Sequence, residues 1–358
     1  MLFFTFTFLF SGCFPAGSAR PDRSRGRTSE ERSSARSELA LGTFCRIELF
    51  GGGKPELYNR LFSRLREIEG MMSVNLEDSE VSLVNKAAGI APVPVSPELF
   101  TVLERAVYFA EVSNGAFDPT IGPLVKLWGI GGETPRVPGG EEIDAARALV
   151  NWKDLELTAA GPQTASGTAF LRRKGMELDL GAIAKGFAAD ELVKILRETK
   201  TNSAIVDLGG NIYVYGTRPG GGEKTWRVGL QNPLDERGAY TGYVELKEAS
   251  VVTSGVYERL FTENGKRYHH ILDTATGFPV ENGLLAVTIM AASSTDADAL
   301  STAVFALGYE KGSALAEANG SGAIFIFADR TIRGSAGALE QFTLTDAAFH
   351  AQWRSDTQ

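Results

Sequence analysis

Two short stretches, far apart in the chain, contain the residue types that bind phosphates and a hard cation. Residues 176–187 read MELDLGAIAKGF and place an aspartate, two glycines and a lysine at the start of a predicted helix. Residues 295–302 read TDADALST. Asp298 and Thr302 stand four residues apart, so a helix places both side-chain oxygens on one side, as a cation bound to phosphates requires. Together the two stretches predict an enzyme that acts on a pyrophosphate.

These residues also have structural explanations. Thr295-x-x-Asp298 fits a capping box, and Asp179 could be the N-cap of the helix that follows it. Lys185 falls in the first turn of that helix, where it could contact a phosphate or extend to solvent. The glycines on either side of Lys185 permit close approach of a ligand to the backbone. The occurrence of both stretches in one chain favours metal binding over capping.

Two adjacent histidines, His269 and His270, fall in a predicted strand, and the chain has three histidines in total. Successive side chains of a strand point to opposite faces. One of the two can therefore face a cleft. A structural role is the alternative for either.

The composition is that of an acidic globular protein. The chain has 358 residues, 43% of them hydrophobic, which allows one large domain or two modest ones. Its formal net charge is -8 and its pI is about 5.2. Nucleic-acid binding is dominated by lysine and arginine contacts to phosphates, so no nucleic-acid partner is expected.

The N-terminal residues resemble an export signal. Residues 1–12, MLFFTFTFLFSG, are apolar and too short to span a bilayer, but long enough for a signal peptide. Residues 9–13, LFSGC, resemble a bacterial lipobox, in which Cys13 is lipidated and becomes the new N-terminus. No lysine or arginine precedes the run, and a spurious apolar start is the alternative. The resemblance implies a lipoprotein anchored to a membrane in the bacterial periplasm.

The domain boundaries follow from composition. Residues 14–37 lack apolar periodicity, so we interpret residues 13–37 as the lipidated cysteine and a flexible tether. The folded domain is predicted over residues 38–346, with a tail at 347–358. Cys45 lies in an apolar run and is predicted to be a buried strand residue rather than a nucleophile.

Hydrophobic periodicity predicts a mixture of helices and strands without the regular βαβ order of a parallel sheet. Helices are predicted at 55–72, 96–112, 182–197, 295–307 and near 310–318. Strands are predicted at 39–50, 177–180, 203–207, 211–216, 225–231, 242–247, 250–262, 266–272, 284–290, 322–328 and 341–344. We therefore predict a single large α+β domain with mainly antiparallel sheets flanked by helices.

Five ordered motifs carry the most specific signal in the chain. They are residues 72–75 (MSVN), 114–129 (NGAFDPTIGPLVKLWG), 179–187 (DLGAIAKGF) with 207–211 (DLGGN), 253–259 (TSGVYER) with 270–277 (HILDTATG), and 297–302 (ADALST). In this order and spacing the chain resembles the ApbE family, the FAD:protein FMN transferases, across roughly residues 39–345. The resemblance implies a T-fold-like α+β domain and a periplasmic, magnesium-dependent enzyme that splits FAD at its pyrophosphate.

Members of that family attach FMN to a threonine of a partner protein through a phosphoester and release AMP, and some lipoprotein members hydrolyse FAD to FMN and AMP. The resemblance implies Mg²⁺ as cofactor, FAD as substrate, and an acceptor flavoprotein subunit, such as those of NADH:quinone reductase or Rnf-type complexes. The acceptor motif D/S-G-x-T-G/S-A-T does not occur in this chain, so the acceptor is another protein. A non-catalytic flavin-binding carrier lipoprotein is the alternative.

The same resemblance implies roles for individual residues. The metal ligands would be the Ala182 carbonyl, Asp298 and Thr302, with Ser301 adjacent. His270 would be the general base for the attacking hydroxyl or water. Lys185 is the second catalytic residue. The implied nucleotide contacts are Leu41, Asn75, Ala116, Phe117, Asp118, Asp179, Lys185 and Leu272.

Three motif residues have structural alternatives, and a fourth departs from the family pattern. Asp118 could simply begin an Asp-Pro turn. Asp273 and Thr276 are expected to hold the turn before Pro279 rather than to act in catalysis. Asn75 stands where many relatives carry an aromatic ring that would stack on the isoalloxazine. Asparagine cannot stack comparably, so weak retention of FAD is expected.

Overall fold

The fold is built around one large β-sheet. The computed structural model describes residues 32–161, 166–220 and 224–352. The strands are β1 (Ser33–Ala40), β2 (Thr43–Phe50), β3 (Val93–Val95), β4 (Leu155–Thr158), β5 (Gly167–Leu171), β6 (Ser203–Leu208), β7 (Asn211–Gly216), β8 (Trp226–Gln231), β9 (Tyr240–Leu246), β10 (Ala249–Gly255), β11 (Leu260–Glu263), β12 (Lys266–His269), β13 (Leu284–Ala291), β14 (Gly322–Phe327), β15 (Thr331–Gly334), β16 (Phe342–Leu344) and β17 (His350–Ala351). The helices are α1 (Pro55–Met72), α2 (Glu80–Lys86), α3 (Pro97–Val112), α4 (Gly122–Trp128), α5 (Gly140–Arg147), α6 (Ala184–Glu198) and α7 (Ser294–Ala318).

Nine strands form the central sheet, in the order β1-β2-β6-β7-β10-β13-β14-β15-β17. Every pair in this sheet is antiparallel except β15 with β17. Three small sheets, β16-β9-β8, β3-β5-β4 and β11-β12, accompany it. The predicted α+β class with mainly antiparallel sheets is confirmed.

Both faces of the central sheet are covered. Helices α1, α6 and α7 pack on one face, and the β16-β9-β8 sheet packs on the other. Strand β13, LLAVTIMA, therefore has seven successive buried residues instead of the alternation expected for a half-exposed strand. Its buried hydroxyl, Thr288, shares a 2.8 Å hydrogen bond with the Thr253 hydroxyl of β10, which satisfies the polar group.

The predicted long helices are present. Helix α1 has the predicted bounds, with Leu61, Leu65 and Ile68 buried along one face. Helix α3 begins after Ser96, whose Oγ accepts from the Leu99 N–H at 3.2 Å. The two helices predicted at 295–307 and 310–318 are the two halves of α7, which continues across a kink where Gly308 has a φ of 77°.

The domain is longer at both ends than the sequence predicted. Strand β1 begins at Ser33, so residues 33–37, which were assigned to the tether, belong to the sheet and pair with β2. Strand β17 pairs with β15 beyond the predicted boundary at residue 346. A Ser- and Arg-containing segment can therefore form an edge strand once a neighbouring strand supplies its hydrogen bonds.

Two predicted strands are wrong in detail. Residues 177–180 form no strand, and Glu177 makes only a single bridge with Ile121. The strand predicted at 250–262 is divided into β10 and β11 by a turn at residues 256–259. Helices α2, α4 and α5 and strands β3 to β5 were missed because three to eight residues contain too few periods of a hydrophobic pattern.

Cys45 is buried on β2, as predicted. Its thiol donates to the Ala40 carbonyl at 3.4 Å, and burial raises its pKa to about 12, so it is not a thiolate at neutral pH. Within the described ranges, no helix is both long enough and apolar enough to cross a membrane. The predicted signal peptide and Cys13 lie outside the described residues.

Candidate active site

Helices α6 and α7 meet through a glycine. Gly186 of α6 donates its N–H to Asp298 Oδ2 at 2.9 Å. A Cβ on Gly186 would overlap the Ser294 carbonyl oxygen and lie 2.8 Å from the Asp298 Cβ. Glycine at this position therefore brings together the two stretches that the sequence predicted to bind phosphate and metal, although 112 residues separate the bonded pair.

Lys185 bends back over the start of α6 to the same carboxylate. Its Nζ donates to the Gly181 carbonyl at 3.0 Å and lies 3.5 Å from Asp298 Oδ1. The Asp298 side chain is 5% exposed and that of Lys185 is 25% exposed. The ammonium offsets the charge of a buried carboxylate. Since an ammonium has three donors and these contacts use at most two, it can also receive an anion from the exposed side.

The oxygen donors around Asp298 suit a hard cation. In the part of the chain that the structure describes, no group of three or more His, Cys, Asp and Glu side chains is placed to hold a metal. Mg²⁺ usually takes one or two carboxylates and completes its shell with water and phosphate oxygens. Thr302 follows Asp298 by one turn of α7, Ala182 precedes α6, and both are half-buried. The chemistry of this donor set fits magnesium.

Ser301, which was predicted to lie beside the metal, makes two hydrogen bonds within the protein. Its Oγ donates to the Asp298 carbonyl oxygen at 2.8 Å and shares a 2.8 Å hydrogen bond with Ser254 Oγ of β10. The residue is 1% exposed. The Ser254 contact fastens α7 to the central sheet, and the Asp298 contact lies within α7 itself. These contacts give Ser301 a part in helix packing.

The two aspartates that were predicted to contact the nucleotide hold local turns. Asp179 Oδ1 accepts from the Gly181 N–H at 2.8 Å, at the entrance to α6. Asp118 accepts from the Thr120 N–H, the Thr120 hydroxyl and the Trp152 N–H at 2.7–2.9 Å, using both oxygens. Burial raises the pKa of both carboxyls. Asp118 therefore has the turn role that the sequence left open, whereas only one oxygen of Asp179 is used in its turn.

The adjacent histidines have different environments, as strand alternation predicted. His269 is buried, its Nε2 donates to the Val280 carbonyl at 3.0 Å, and its Nδ1 accepts from the Ile271 N–H at 3.3 Å. His270 is half-buried and has its Nδ1 3.3 Å from the Arg259 carbonyl oxygen. A carbonyl can only accept, so Nδ1 of His270 carries the proton and Nε2 carries the lone pair of a base.

His270 is neutral at physiological pH. Burial and the positive charge of Arg259 lower its pKa to about 4. Lys185 acts in the same direction. The two residues predicted to be catalytic therefore lie close enough to influence each other electrostatically.

Two carboxylates without a predicted role lie in the same neighbourhood. Asp207 Oδ1 accepts from the Gly210 N–H at 3.0 Å in the turn between β6 and β7. Burial raises the pKa of Glu258, and the nearby charge of Lys185 opposes that shift. Both residues belong to the five motifs. The sequence signals that could have identified them are a carboxylate two residues before a Gly-Gly turn, for Asp207, and a carboxylate shortly after a strand, for Glu258.

The turn after His270 is held as predicted. Asp273 accepts from the Ala275 N–H at 2.9 Å and from the Thr276 hydroxyl at 3.0 Å. The Thr274 hydroxyl donates to the Gly115 carbonyl at 2.7 Å and ties this turn to the second motif.

The other predicted nucleotide contacts are divided between core and surface. The side chains of Phe117 and Leu272 are 4% and 5% exposed and pack in hydrophobic clusters, so they support the site from within the core. Ala116 is half-buried. Leu41 lies in the turn between β1 and β2 with a φ of 52°, and Asn75 is exposed on the loop after α1.

A separate cavity of about 710 Å³ lies behind the first turn of α7, between α3 and α6. Its lining includes Arg105, Asp190 and Asp296, but none of the predicted metal or catalytic residues. The groups able to perform chemistry lie at the α6–α7 contact and around His270, so we place the candidate site there.

In this α+β domain, two packed helices hold a lysine against a buried carboxylate, and a neutral histidine lies close enough for the lysine to influence its pKa. These features define a class of proteins suited to phosphate chemistry. Residues 41–326 match the family model described as the ApbE family. The chain belongs to the ApbE family.

Relatives extend over most of the chain. An FAD:protein FMN transferase of Treponema pallidum is 42% identical over 335 residues, which cover 90% of this chain and 92% of the relative. One of Klebsiella pneumoniae is 36% identical over 90% of this chain and 98% of the relative. The crystal structure of the ApbE protein from Thermotoga maritima has a TM-score of 0.78 at 31% identity, covering 87% of this chain and 99% of that structure. The flavin transferase ApbE from Vibrio cholerae has a TM-score of 0.75 at 30% identity over the same shares.

Proposed function

We propose that the chain is an FAD:protein FMN transferase. Its membership of the ApbE family and its similarity to the two transferases named above support this activity. The contact of Lys185 with Asp298 across α6 and α7 is the observation that carries the proposal, because an ammonium beside a buried carboxylate suits the binding of a pyrophosphate and its metal.

The reaction is a phosphoryl-group exchange. The hydroxyl oxygen of an acceptor threonine forms a bond to the phosphorus of the FMN half of FAD, and the phosphorus–oxygen bond to the AMP half breaks. AMP leaves with the bridging oxygen, and the threonine proton must be taken up by a base. His270 Nε2 is the base in this proposal, since its lone pair is available at neutral pH.

Magnesium is the proposed cofactor. Asp298, Thr302 and the Ala182 carbonyl would hold it, and when bound it would polarise the phosphate and neutralise charge on the leaving group. Lys185 contributes independently of the metal, because its ammonium can bind a phosphate oxygen and orient the pyrophosphate at the start of α6.

A non-catalytic flavin carrier is the second candidate. Binding alone requires neither a neutral histidine nor a buried carboxylate beside a lysine. The arrangement of Lys185, Asp298 and His270 therefore favours the enzyme. Water in place of the threonine hydroxyl would give FMN and AMP, so the same site could also hydrolyse FAD.

The acceptor and the location complete the proposal. The acceptor is a flavoprotein subunit that carries the threonine motif, of the kind found in NADH:quinone reductase or Rnf-type complexes. The lipobox-like residues 9–13 support a lipoprotein held at a periplasmic membrane through Cys13.

Replacing Asp298 tests the proposed function. We expect Asp298→Ala to abolish Mg²⁺-dependent release of AMP from FAD, measured by chromatography with and without an acceptor peptide. Asp296→Ala is the matched control, because this aspartate lies on the same helix but pairs with Arg105. Full activity of Asp298→Ala would reject the metal assignment. Binding of FAD by the wild-type protein without any release of AMP would support the carrier.

A further inference from the structure

Asp190, which has no role in the proposed reaction, joins α6 to the start of α7. Its Oδ1 accepts from the Ser294 N–H at 2.9 Å. Its Oδ2 accepts from the Thr295 N–H at 2.9 Å, the Thr295 hydroxyl at 2.6 Å and the Ser293 hydroxyl at 3.1 Å. One carboxylate of α6 thus receives four hydrogen bonds from the N-cap residue Ser293 and the first two residues of α7.

A second contact lies one helical turn away on both helices. Gly186 precedes Asp190 by four residues on α6, and Asp298 follows Ser294 by four residues on α7. The Gly186 N–H donates to Asp298 Oδ2, and the absence of a Cβ lets the helices approach. Two contacts, one turn apart, determine how far α7 can slide or rotate against α6.

We infer that Asp190 is a positioning residue, which sets the location of the Asp298 carboxylate relative to Lys185. This inference rests on the proposed function, in which Asp298 binds the metal. A displacement of the first turn of α7 would be transmitted along the helix to Asp298, because backbone hydrogen bonds make consecutive turns move together. It would also change the 3.5 Å separation between Lys185 Nζ and Asp298 Oδ1.

Simple capping of α7 does not explain these contacts fully. The helix has its own cap, since Ser293 Oγ accepts from the Asp296 N–H at 3.2 Å. Asp296 also supplies a negative charge in the first turn, where it pairs with Arg105 of α3. Asp190 differs from Ser293 and Asp296 because it belongs to α6, the helix that carries Lys185. Its hydrogen bonds therefore fix α6, which carries Lys185, against α7, which carries Asp298.

The test compares metal binding by apoprotein variants. Mn²⁺ is the probe, and the electron paramagnetic resonance signal of free Mn²⁺ measures binding without any turnover. We expect Asp190→Asn to weaken Mn²⁺ binding by about threefold to tenfold, at or below the low end of the loss that follows when a direct hydrogen bond to a ligand is removed, because Asp190 acts on Asp298 through one turn of α7. Arg105→Gln is the matched control. It removes the α3 contact to the same turn of α7, so it should lower the melting temperature but leave Mn²⁺ affinity unchanged.

Additional variants distinguish a failure of the proposed metal site from a failure of the inference about Asp190. Wild-type protein that binds no Mn²⁺, or an Asp298→Ala protein that binds it normally, would reject the proposed metal site. Mn²⁺ binding that is lost in Asp298→Ala but unchanged in Asp190→Asn would overturn the inference. If Asp190→Asn does not fold, Thr295→Val removes a single donor to Asp190 and should weaken Mn²⁺ binding in the same direction by a smaller factor. Unchanged affinity in that variant would likewise overturn the inference.

Discussion

Asn75 stands where the resemblance to the family led us to expect an aromatic residue. It lies on the exposed loop between α1 and α2, where its N–H donates to Ser73 Oγ at 3.2 Å. An amide at this position leaves the loop without a ring to stack on a flavin. We interpret the lack of a ring as weak binding of FAD, which suits an enzyme that turns its substrate over.

Asn75→Tyr should tighten flavin binding. A stacking contact contributes about 0.5–1.5 kcal/mol, which is roughly a several-fold change in affinity. A contact made equally to substrate and transition state lowers KM without raising kcat. We therefore expect more copurified flavin, measured by absorbance, and no faster release of AMP at saturating FAD. Unchanged flavin occupancy and kinetics would place Asn75 outside the flavin pocket.

With His270 as the base, the reaction should stay active down to an unusually low pH. The base acts when neutral, so activity is present above its pKa and is lost as the pH falls through that value. Burial and Arg259 lower this pKa from 6.5 to about 4. We expect kcat/KM, which reports the free enzyme, to fall to half near pH 4 rather than near 6.5, with folding checked by circular dichroism at each pH.

Arg259→Gln provides the matched test of this limit. Loss of the neighbouring positive charge should raise the pKa of His270 and move the acid limb of the profile towards neutral pH. A limb near pH 6.5 that does not respond to Arg259→Gln would contradict His270 as the base.

At the scale of elements, the site depends on the close packing of α6 on α7. Gly186→Ala places a methyl group against the Ser294 carbonyl and the Asp298 Cβ. We expect a loss of about 1–3 kcal/mol in the free energy of unfolding, as for other overpacked positions, together with loss of Mg²⁺-dependent activity. Urea denaturation and AMP release measure the two effects.

Gly70→Ala is the control for that substitution. Gly70 is an exposed glycine of α1, and a Cβ there meets no atom within 4 Å. Alanine should stabilise the helix by about 0.5–1 kcal/mol and leave activity unchanged. Equal effects of the two substitutions would show that helix propensity, rather than interhelical distance, is what Gly186 contributes.

At the scale of the whole molecule, the proposed anchor is separate from the catalytic domain. Cys13→Ser should release the protein into the soluble periplasmic fraction, because it removes the sulfur that would carry the lipid anchor. Fatty-acid labelling and fractionation measure the change, and AMP release per mole of protein should be unaffected. A Cys13→Ser protein that still takes up label and sediments with membranes would reject the lipobox.

The local features of this fold could be read from the sequence. The bounds of α1, the glycine-induced division of α7 and most strands of the central sheet follow from hydrophobic period and turn residues, which act over a few residues. The same patterns failed at β1 and β17. These edge strands have little apolar content of their own and depend on hydrogen bonds from strands that already exist.

The sequence by itself determined which residues could take part in the chemistry, because residue type and motif order are properties of the chain. It also determined the α+β class. Only the tertiary structure decided which partners these residues have. Ser301 shares a hydrogen bond with Ser254 of β10, Asp118 accepts one from the Trp152 N–H, and Lys185 reaches Asp298 across 113 residues of sequence. Such contacts arise from the packing of distant elements, and no local pattern encodes them.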